Sequence, residues 1–331
     1  MKKILTWLVI FSLVFGSAAS MAAEKQKLVV YTSMKEVLIG KLRDAFTAKN
    51  PDLDFDSYSA GAGKLMAKLA AERQSGNIVV DVLWTSEIPD FYQLKAEEML
   101  QKYISPENQF ILSPIKDPDG FFTPARMGTL GIAYNTKLIK QAPRTWADLL
   151  TPEFKNSVGI ANPALSGTAY VSISLMVKNL GWEYFEKLKA NGAKMGQGSG
   201  QVVDDTAAGD LKACLGVDYI ALEKIAKGAD LGLVFPPEML VIPSPVAIIK
   251  GTKNLNAAQK FVDFLLSKDG QAIVANTGTL PIRQDVPVPQ GTGLVSPDEA
   301  VKRAMQIDYP QMIKEKEATI KKFTEILGAG K

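Results

Sequence analysis

Four short segments carry small hydroxyl side chains and glycines at points where an apolar strand pattern gives way to a helical one. In open α/β sheets, ligands bind beyond the carboxyl ends of strands, where loops enter helices. A hydroxyl there can cap the helix while backbone N–H groups and the positive end of the helix dipole face a phosphate, phosphonate or carboxylate. Plain helix capping explains any one junction equally well, because Ser and Thr are preferred N-cap residues. The candidate ligand contacts at these junctions are Thr32 and Ser33; Ser59 and Gly61; Thr85, Ser86 and Glu87; and Ser166, Gly167 and Thr168.

The residue inventory removes several kinds of catalytic chemistry. The sequence has no His and a single Cys, Cys214, which excludes Ser-His-Asp and Cys-His nucleophiles and zinc sites built from His and Cys. Leu65 follows Lys64 where a phosphate-binding P-loop needs Ser or Thr, so nucleotide hydrolysis is not indicated. A secreted hydrolase, the alternative from another functional class, also lacks a Gly-x-Ser-x-Gly motif and an evident carboxylate pair. We therefore predict a protein that is not an enzyme and that has no cofactor and no resident metal.

The N-terminus has the three-part pattern of a secretory signal. Lys2 and Lys3 precede an apolar run at 4–15, and small residues follow. The apolar run is too short to span a membrane comfortably. We predict that residues 1–22 form a signal peptide cleaved near Ala22 and that the mature protein is periplasmic.

Strand and helix patterns alternate along the 331 residues, a length typical of about two domains. The first set places strands and helices in turn at 27–32, 34–50, 53–58, 61–75 and 78–84, and a second set starts near residue 127. Successive β-α-β units imply a parallel sheet with helices on both faces. The formal net charge of +3 and the lack of any Lys/Arg-rich block lead us to predict no nucleic-acid partner.

Three stretches of sequence carry a family resemblance. They are LVVYTS at 28–33 with DVLW at 81–84; TWADLLTPEFK at 145–155 with NPALSGTA at 162–169; and NAAQKFVDFLLSKDGQ at 256–271. Together they resemble the substrate-binding proteins of bacterial ABC importers with the type 2 periplasmic fold. The branch they are most similar to contains ferric-, sugar-phosphate- and phosphonate-binding proteins.

This resemblance implies an α/β protein with two lobes, two crossover strands between them and a ligand cleft at the junction. Lobe one is expected to contain residues 23–122 and 246–282, and lobe two residues 123–245 and 283–331. The crossovers are expected at 123–133 and 240–249.

The implied cleft adds further candidate contacts. Arg126 lies in the first expected crossover, where it could clamp an anion with two hydrogen bonds or form a hinge salt bridge. The polar segment 198–205, which includes Asp205, is expected to reach the cleft. With an anion bound, Asp205 or Asp218 would accept hydrogen bonds from an amine or hydroxyl of the ligand.

Iron is the alternative ligand. The ferric-binding relatives have adjacent tyrosines that bind iron where this chain has Asp218 and Tyr219, and they usually add a His or carboxylate from lobe one. Ferric ion is a hard cation that Tyr219, Asp218 and Glu87 could still hold.

The sequence thus predicts the extracytoplasmic binding protein of an ABC importer. We expect it to act as a monomer, to bind a small anionic solute such as a phosphate ester or phosphonate, and to deliver it to a permease in the inner membrane. A ferric ion-binding protein of an iron importer is the alternative.

Overall fold

A computed structural model describes residues 25–111 and 117–328; the predicted signal peptide and its cleavage site near Ala22 lie outside these residues. The strands are β1 (Gln26–Thr32), β2 (Leu53–Ser59), β3 (Val82–Trp84), β4 (Leu100–Gln101), β5 (Thr123–Asn135), β6 (Val158–Ala161), β7 (Lys194–Gly196), β8 (Ala213–Val217), β9 (Leu231–Val234) and β10 (Leu240–Ile249). The α-helices are α1 (Glu36–Lys49), α2 (Ala62–Ser75), α3 (Ile88–Ala96), α4 (Gly167–Leu180), α5 (Trp182–Ala190), α6 (Ser199–Ala208), α7 (Asp218–Ala226), α8 (Leu255–Leu266), α9 (Lys268–Asn276), α10 (Pro297–Arg303) and α11 (Tyr309–Gly328). Short 3₁₀ helices cover Pro106–Phe110, Trp146–Leu150 and Pro152–Phe154.

The strands form a mixed sheet in the order β2-β1-β3-β10-β5-β8-β6-β7, with β4 also paired to β10 and β9 to β5. Pairing is parallel within each half, between β1 and its neighbours β2 and β3 and between β6 and its neighbours β7 and β8. The long strands β5 and β10 run antiparallel to each other and to the strands beside them. The parallel pairing predicted from the β-α-β pattern is therefore present in each half of the sheet. The antiparallel centre arises because β5 and β10 pair although they are distant in the chain.

The two long strands occupy the segments expected as crossovers. β5 and β10 pair from Leu240 opposite Leu130 to Val246 opposite Thr123, with a register shift between Ser244 and Pro245. Both strands are buried along almost their whole length. The two-lobe α/β architecture is confirmed, with β1–β4 on one side of this central pair and β6–β9 on the other.

The C-terminal helix contacts both lobes. α11 packs against α4, α5 and β7 of lobe two, where the ring of Phe323 lies 5.3 Å from that of Phe185, and it also contacts α3 of lobe one. The segment 283–331 also contacts lobe one through the Arg283–Glu107 and Lys316–Glu87 ion pairs, and its assignment to lobe two stays a prediction.

Apolar periodicity explains the packing of the helices on the sheet. In α1 the buried positions Leu38, Ile39, Leu42 and Phe46 recur at helical spacing, and the helix packs against β2, α8 and α9. A second apolar cluster forms between β3, α2 and α3 and includes Leu83, Leu65 and Phe91. None of the helices that the structure describes has both the length and the apolar character needed to cross a membrane.

Candidate ligand-binding cleft

A cleft of about 460 Å³ lies where the two lobes meet. Lobe one contributes the segments after β1 and β2, and lobe two contributes the starts of α4, α6 and α7. Nine of the predicted contacts line it: Ser33, Ser59, Gly61, Ser86, Arg126, Ser166, Gly167, Thr168 and Tyr219. The structure thus brings together residues that are up to about half the chain apart in sequence, as the strand-to-helix junctions predicted.

Three helices begin at this cleft without an acidic residue in their first turns: α2, α4 and α6. Gly61 and Gly198, the N-caps of α2 and α6, make no side-chain capping bond, whereas Ser166 caps α4 by accepting the Ala169 N–H at 3.3 Å. Acidic side chains normally stabilise this end of a helix. The cleft therefore collects positive helix ends that no side-chain carboxylate of these first turns neutralises.

The hydroxyl groups of the cleft are joined to one another and to the backbone. Ser33 Oγ accepts the Ser86 N–H at 3.2 Å, and Ser86 Oγ lies 3.0 Å from Ser244 Oγ. The Ser166 and Ser199 hydroxyls lie 3.0 Å apart, on the starts of different helices. These bonds hold the hydroxyls at defined positions around the cleft, where each oxygen keeps a capacity to bond a ligand.

Arg126 is the buried cation of the cleft, with a residue exposure of 1%. Its Nη1 donates to Thr279 Oγ1 at 2.7 Å and lies 3.4 Å from Asp218 Oδ1, and its guanidinium lies 5.0 Å from the centre of the Tyr219 ring. Gly128 gives the guanidinium room, because a Cβ there would lie 2.8 Å from Nη2. The Arg126 Nε has no hydrogen-bond partner among the described residues. A buried, unpaired N–H of this kind is costly and calls for an acceptor.

Asp218 is completely buried behind Arg126. It accepts the N–H of Thr129 at 2.8 Å and of Tyr219 at 2.7 Å, and the hydroxyls of Thr129 at 3.0 Å and Thr279 at 2.6 Å. Burial raises the pKa of Asp218, and Arg126 and the hydrogen bonds oppose that rise. Asp218 therefore serves as the internal counter-ion of Arg126, with its oxygens already occupied by protein donors.

Tyr219 connects the lobes. Its phenol oxygen accepts the backbone N–H of Lys35 at 3.0 Å, from the segment before α1. Burial raises the pKa of Tyr219, while the nearby Arg126 lowers it. The neutral phenol is accordingly the favoured form in this environment.

Every charged side chain that lines the cleft is basic. Lys35 and Lys64 join Arg126 in the lining, which includes no Asp or Glu among the residues the structure describes. Both lysines are exposed, and neither forms an ion pair within the described chain. Three cations and three helix N-termini around one cavity make a strongly positive site.

Five predicted contacts do not line the cleft. Thr32 is buried and accepts the Met34 N–H at 3.1 Å, and Thr85 is buried beside β10, where its N–H bonds Pro245. Asp218 lies behind Arg126, as described above. These three residues, together with Glu87 and Asp205, lie outside the cleft lining, although the sequence predicted them as ligand contacts.

Glu87 and Asp205 lie outside the cleft lining. Glu87 forms a buried ion pair with Lys316 of α11, which also lies 2.5 Å from Asp90. Burial and the neighbouring Asp90 raise the pKa of Glu87 to about 7, against the opposing effect of Lys316. Asp205 lies on α6 near the buried thiol of Cys214. The Glu87 carboxylate is therefore already paired with a cation, and Asp205 is half-buried.

Other lining residues were not singled out from the sequence. Lys35 and Tyr58 belong to this group, together with Gln197, which precedes α6, and with Ser199 and Gln201 in the first turn of that helix. The sequence placed Ser199 and Gln201 near the cleft only as members of the polar segment 198–205. Lys35 follows Ser33 by two residues, which was the available signal for its place in the cleft.

The lobes approach each other closely at the cleft rim. A Cβ built on Gly61 would overlap the carbonyl oxygen of Leu165, and one on Gly63 would overlap that of Ala164. A Cβ on Gly167 would lie 2.6 Å from a carboxylate oxygen of Glu87. Glycine at these positions permits the closed arrangement, in which lobe one and lobe two are in contact.

Comparison with known proteins gives the family. The family model described as "Bacterial extracellular solute-binding protein" matches residues 77–302. The chain belongs to this family. The family consists of binding proteins, which confirms the predictions that the protein is a solute-binding protein of an ABC importer and is not an enzyme. Proteins of this kind bind small solutes, work with membrane permeases and are periplasmic.

Relatives of this solute-binding protein have different ligands. A candidate 2-aminoethylphosphonate-binding periplasmic protein of Salmonella typhimurium is 30% identical over 73% of each chain. The structure of AfuA from Actinobacillus pleuropneumoniae, with exogenous fructose-6-phosphate bound, is 27% identical with a TM-score of 0.77, covering 92% of this chain and 100% of AfuA. Iron-bound HitA from Pseudomonas aeruginosa is 21% identical with a TM-score of 0.75, covering 90% of this chain and 99% of HitA, and shares the fold.

Proposed function

We propose that this solute-binding protein captures a small phosphate ester or phosphonate in the cleft between its lobes and delivers it to an ABC permease. The observation that carries the proposal is the buried Arg126: among the described residues its Nε has no acceptor, and the charged residues that line its cleft are basic. An anion would satisfy that N–H, the free helix N-termini and the two exposed lysines together. The names of the phosphonate-binding relative and of AfuA support the same ligand class.

The contacts proposed for the anion are the nine predicted residues that line the cleft, with Lys35, Lys64 and Ser199 added. The hydroxyls of Ser33, Ser86 and Ser166 can donate to phosphoryl oxygens, and Arg126 can supply a charge-assisted bond from the floor. Thr32, Thr85, Glu87, Asp205 and Asp218 would support the site without touching the ligand.

Ferric ion fits the same cleft less well. The tyrosines that line it are Tyr58 and Tyr219, and the latter lies against the Arg126 guanidinium. A ferric ion next to that guanidinium would meet like charge, and the carboxylates of Asp218 and Glu87 are held by other partners. The chain is thus proposed as an anion-binding protein, and iron becomes an outcome of the test.

Calorimetry on protein unfolded and refolded to remove any bound solute tests the proposal. The titrants are inorganic phosphate, glycerol 3-phosphate, glucose 6-phosphate, 2-hydroxyethylphosphonate and ferric citrate. We expect at least one phosphorus anion to bind in the micromolar range or tighter and ferric citrate to give no saturable heat. Binding of iron alone would refute the proposal.

Two features of the proposed biology are tested separately. We propose that the mature, monomeric chain starts at Ala23 or Glu24 after removal of the signal peptide. Intact-mass analysis of periplasmic protein should give that start, and light scattering should give one chain per particle. A full-length membrane-retained product, or a stable dimer, would contradict these two points.

A further inference from the structure

The charges of the cleft lining restrict which other functional groups the ligand can carry besides its phosphoryl group. Any additional functional group of the ligand must also sit inside the same lining. That lining offers hydroxyls, amides and three basic side chains, with no carboxylate among the described residues. A ligand ammonium placed there would be removed from water without an acidic partner and would face like charges.

Two of the acidic residues predicted as ligand contacts, Asp218 and Glu87, are already paired with cations. Asp218 accepts four hydrogen bonds from Thr129, Tyr219 and Thr279 in addition to facing Arg126. Glu87 is paired with Lys316. Redirecting either of them toward a ligand would break a buried ion pair, which costs several kcal/mol in other proteins.

Lys35 holds a position that bears directly on this restriction. It belongs to lobe one, yet its side chain reaches the start of α6 in lobe two, where a Cβ on Gly200 would lie 3.6 Å from its Cε and 3.9 Å from its Nζ. The first turn of α6 has no acidic residue. An ammonium at the positive end of a helix is unfavourable unless negative charge lies between them. A bound anion supplies that charge, whereas a ligand ammonium would worsen the repulsion.

We infer that this cleft selects hydroxyl-bearing phosphate or phosphonate anions and rejects ligands that carry an ammonium group, and that Lys35 is a specificity-determining residue in this choice. The inference rests on the proposed function. It separates this chain from its relative named for 2-aminoethylphosphonate, because that zwitterion would bring an ammonium into a cleft whose described lining residues include no Asp or Glu.

Matched ligand pairs test the inference. 2-Hydroxyethylphosphonate and 2-aminoethylphosphonate differ only in a hydroxyl against an ammonium, and so do glucose 6-phosphate and glucosamine 6-phosphate. Calorimetry should show the hydroxyl member of a pair binding at least about tenfold more tightly, because like charges placed next to each other weaken binding by at least this factor.

Charge reversal at Lys35 identifies the residue responsible. Lys35→Glu should lower the preference for the hydroxyl member by about tenfold or more, and Lys35→Gln, the milder variant, should lower it by less. Lys41→Glu makes the same charge change on the exposed face of α1, outside the cleft lining, and should keep the wild-type ratio.

The outcomes separate this inference from the proposed function. If phosphorus anions bind but the amine member binds equally well or better, the specificity inference is wrong and the proposed function stands. An unchanged ratio in both Lys35 variants would remove Lys35 as the determinant and overturn the inference as stated. If no phosphorus compound binds at all, the proposed function fails and the inference falls with it.

Discussion

Removing Arg126 should affect both folding and ligand binding, and the two effects can be separated. Arg126→Met leaves Asp218 fully buried without its cation. Breaking a buried ion pair in this way typically costs about 3–5 kcal/mol of unfolding free energy. Ligand binding should also weaken by about ten- to a hundredfold, since a hydrogen bond to a charged group contributes roughly 1.5–3 kcal/mol.

Replacing Asp218 at the same time removes the orphaned charge. Asp218→Asn keeps an acceptor for the Thr129 N–H and a similar side-chain volume. The double variant should therefore recover much of the lost unfolding free energy, measured by urea denaturation. It should not recover affinity for the phosphate ester, because the guanidinium that faces the cleft is still absent.

Two single variants complete this experiment. Asp218→Asn alone retains Arg126 and should bind within a few-fold of the wild type, and Arg73→Met, an exposed arginine outside the cleft lining, should change neither quantity appreciably. Native affinity in the Arg126→Met/Asp218→Asn double variant would refute the reasoning, because Arg126 would then act only as a structural partner of Asp218.

Three further predictions concern the phenol, the buried acid and the lobe contact. Tyr219→Phe removes the acceptor of the Lys35 N–H and should weaken binding of a phosphate ester by only about three- to tenfold in calorimetry; complete loss would indicate a phenolate that binds metal. Because the folded pKa of Glu87 is raised to about 7, the folded state retains a proton that the unfolded state loses above its ordinary pKa of 4.5. The unfolding free energy should therefore fall by about 2–3 kcal/mol between pH 5 and 7.5. Glu87→Gln should flatten this pH dependence, which no histidine obscures because the chain has none. An unchanged pH dependence in Glu87→Gln would contradict the assignment of the raised pKa to Glu87. Gly61→Ala should block the contact between the lobes, so that saturating phosphate ester no longer reduces the radius of gyration in solution scattering. The control variant Gly200→Ala should still show the reduction. A normal reduction in Gly61→Ala would show that the rim contact does not limit closure of the lobes.

Local patterns and the family resemblance predicted the frame of the molecule. β10 occupies the segment expected as the second crossover, and β5 extends the first by two residues, to Asn135. The junction rich in Ser and Gly before α4 faces the cleft because the carboxyl ends of parallel strands meet at one edge. α6 was expected only as a polar segment, although Val202, Val203 and Thr206 supply a buried helical face.

A hinge salt bridge of Arg126 was one of two alternatives predicted from the sequence, but its partner Asp218 and the Glu87–Lys316 pair were not predicted. Glu87 and Asp218 are acidic residues at strand-to-helix junctions, as expected of ligand contacts. Each instead forms an ion pair with a cation distant in the chain, Glu87 with Lys316 and Asp218 with Arg126. The pattern of a single segment carries no information about such partners. Lys35 was overlooked for the opposite reason: an exposed lysine before a helix is common, and only the approach of α6 from the other lobe gives it a function.

Native mass spectrometry of the protein purified from the periplasm without added ligand can identify the solute that the cleft holds. We expect an adduct whose mass corresponds to a small phosphorus-containing anion, lost on unfolding and absent from the Arg126→Met/Asp218→Asn variant. An adduct of ferric ion, or of a solute without an acidic group, would contradict the proposed function.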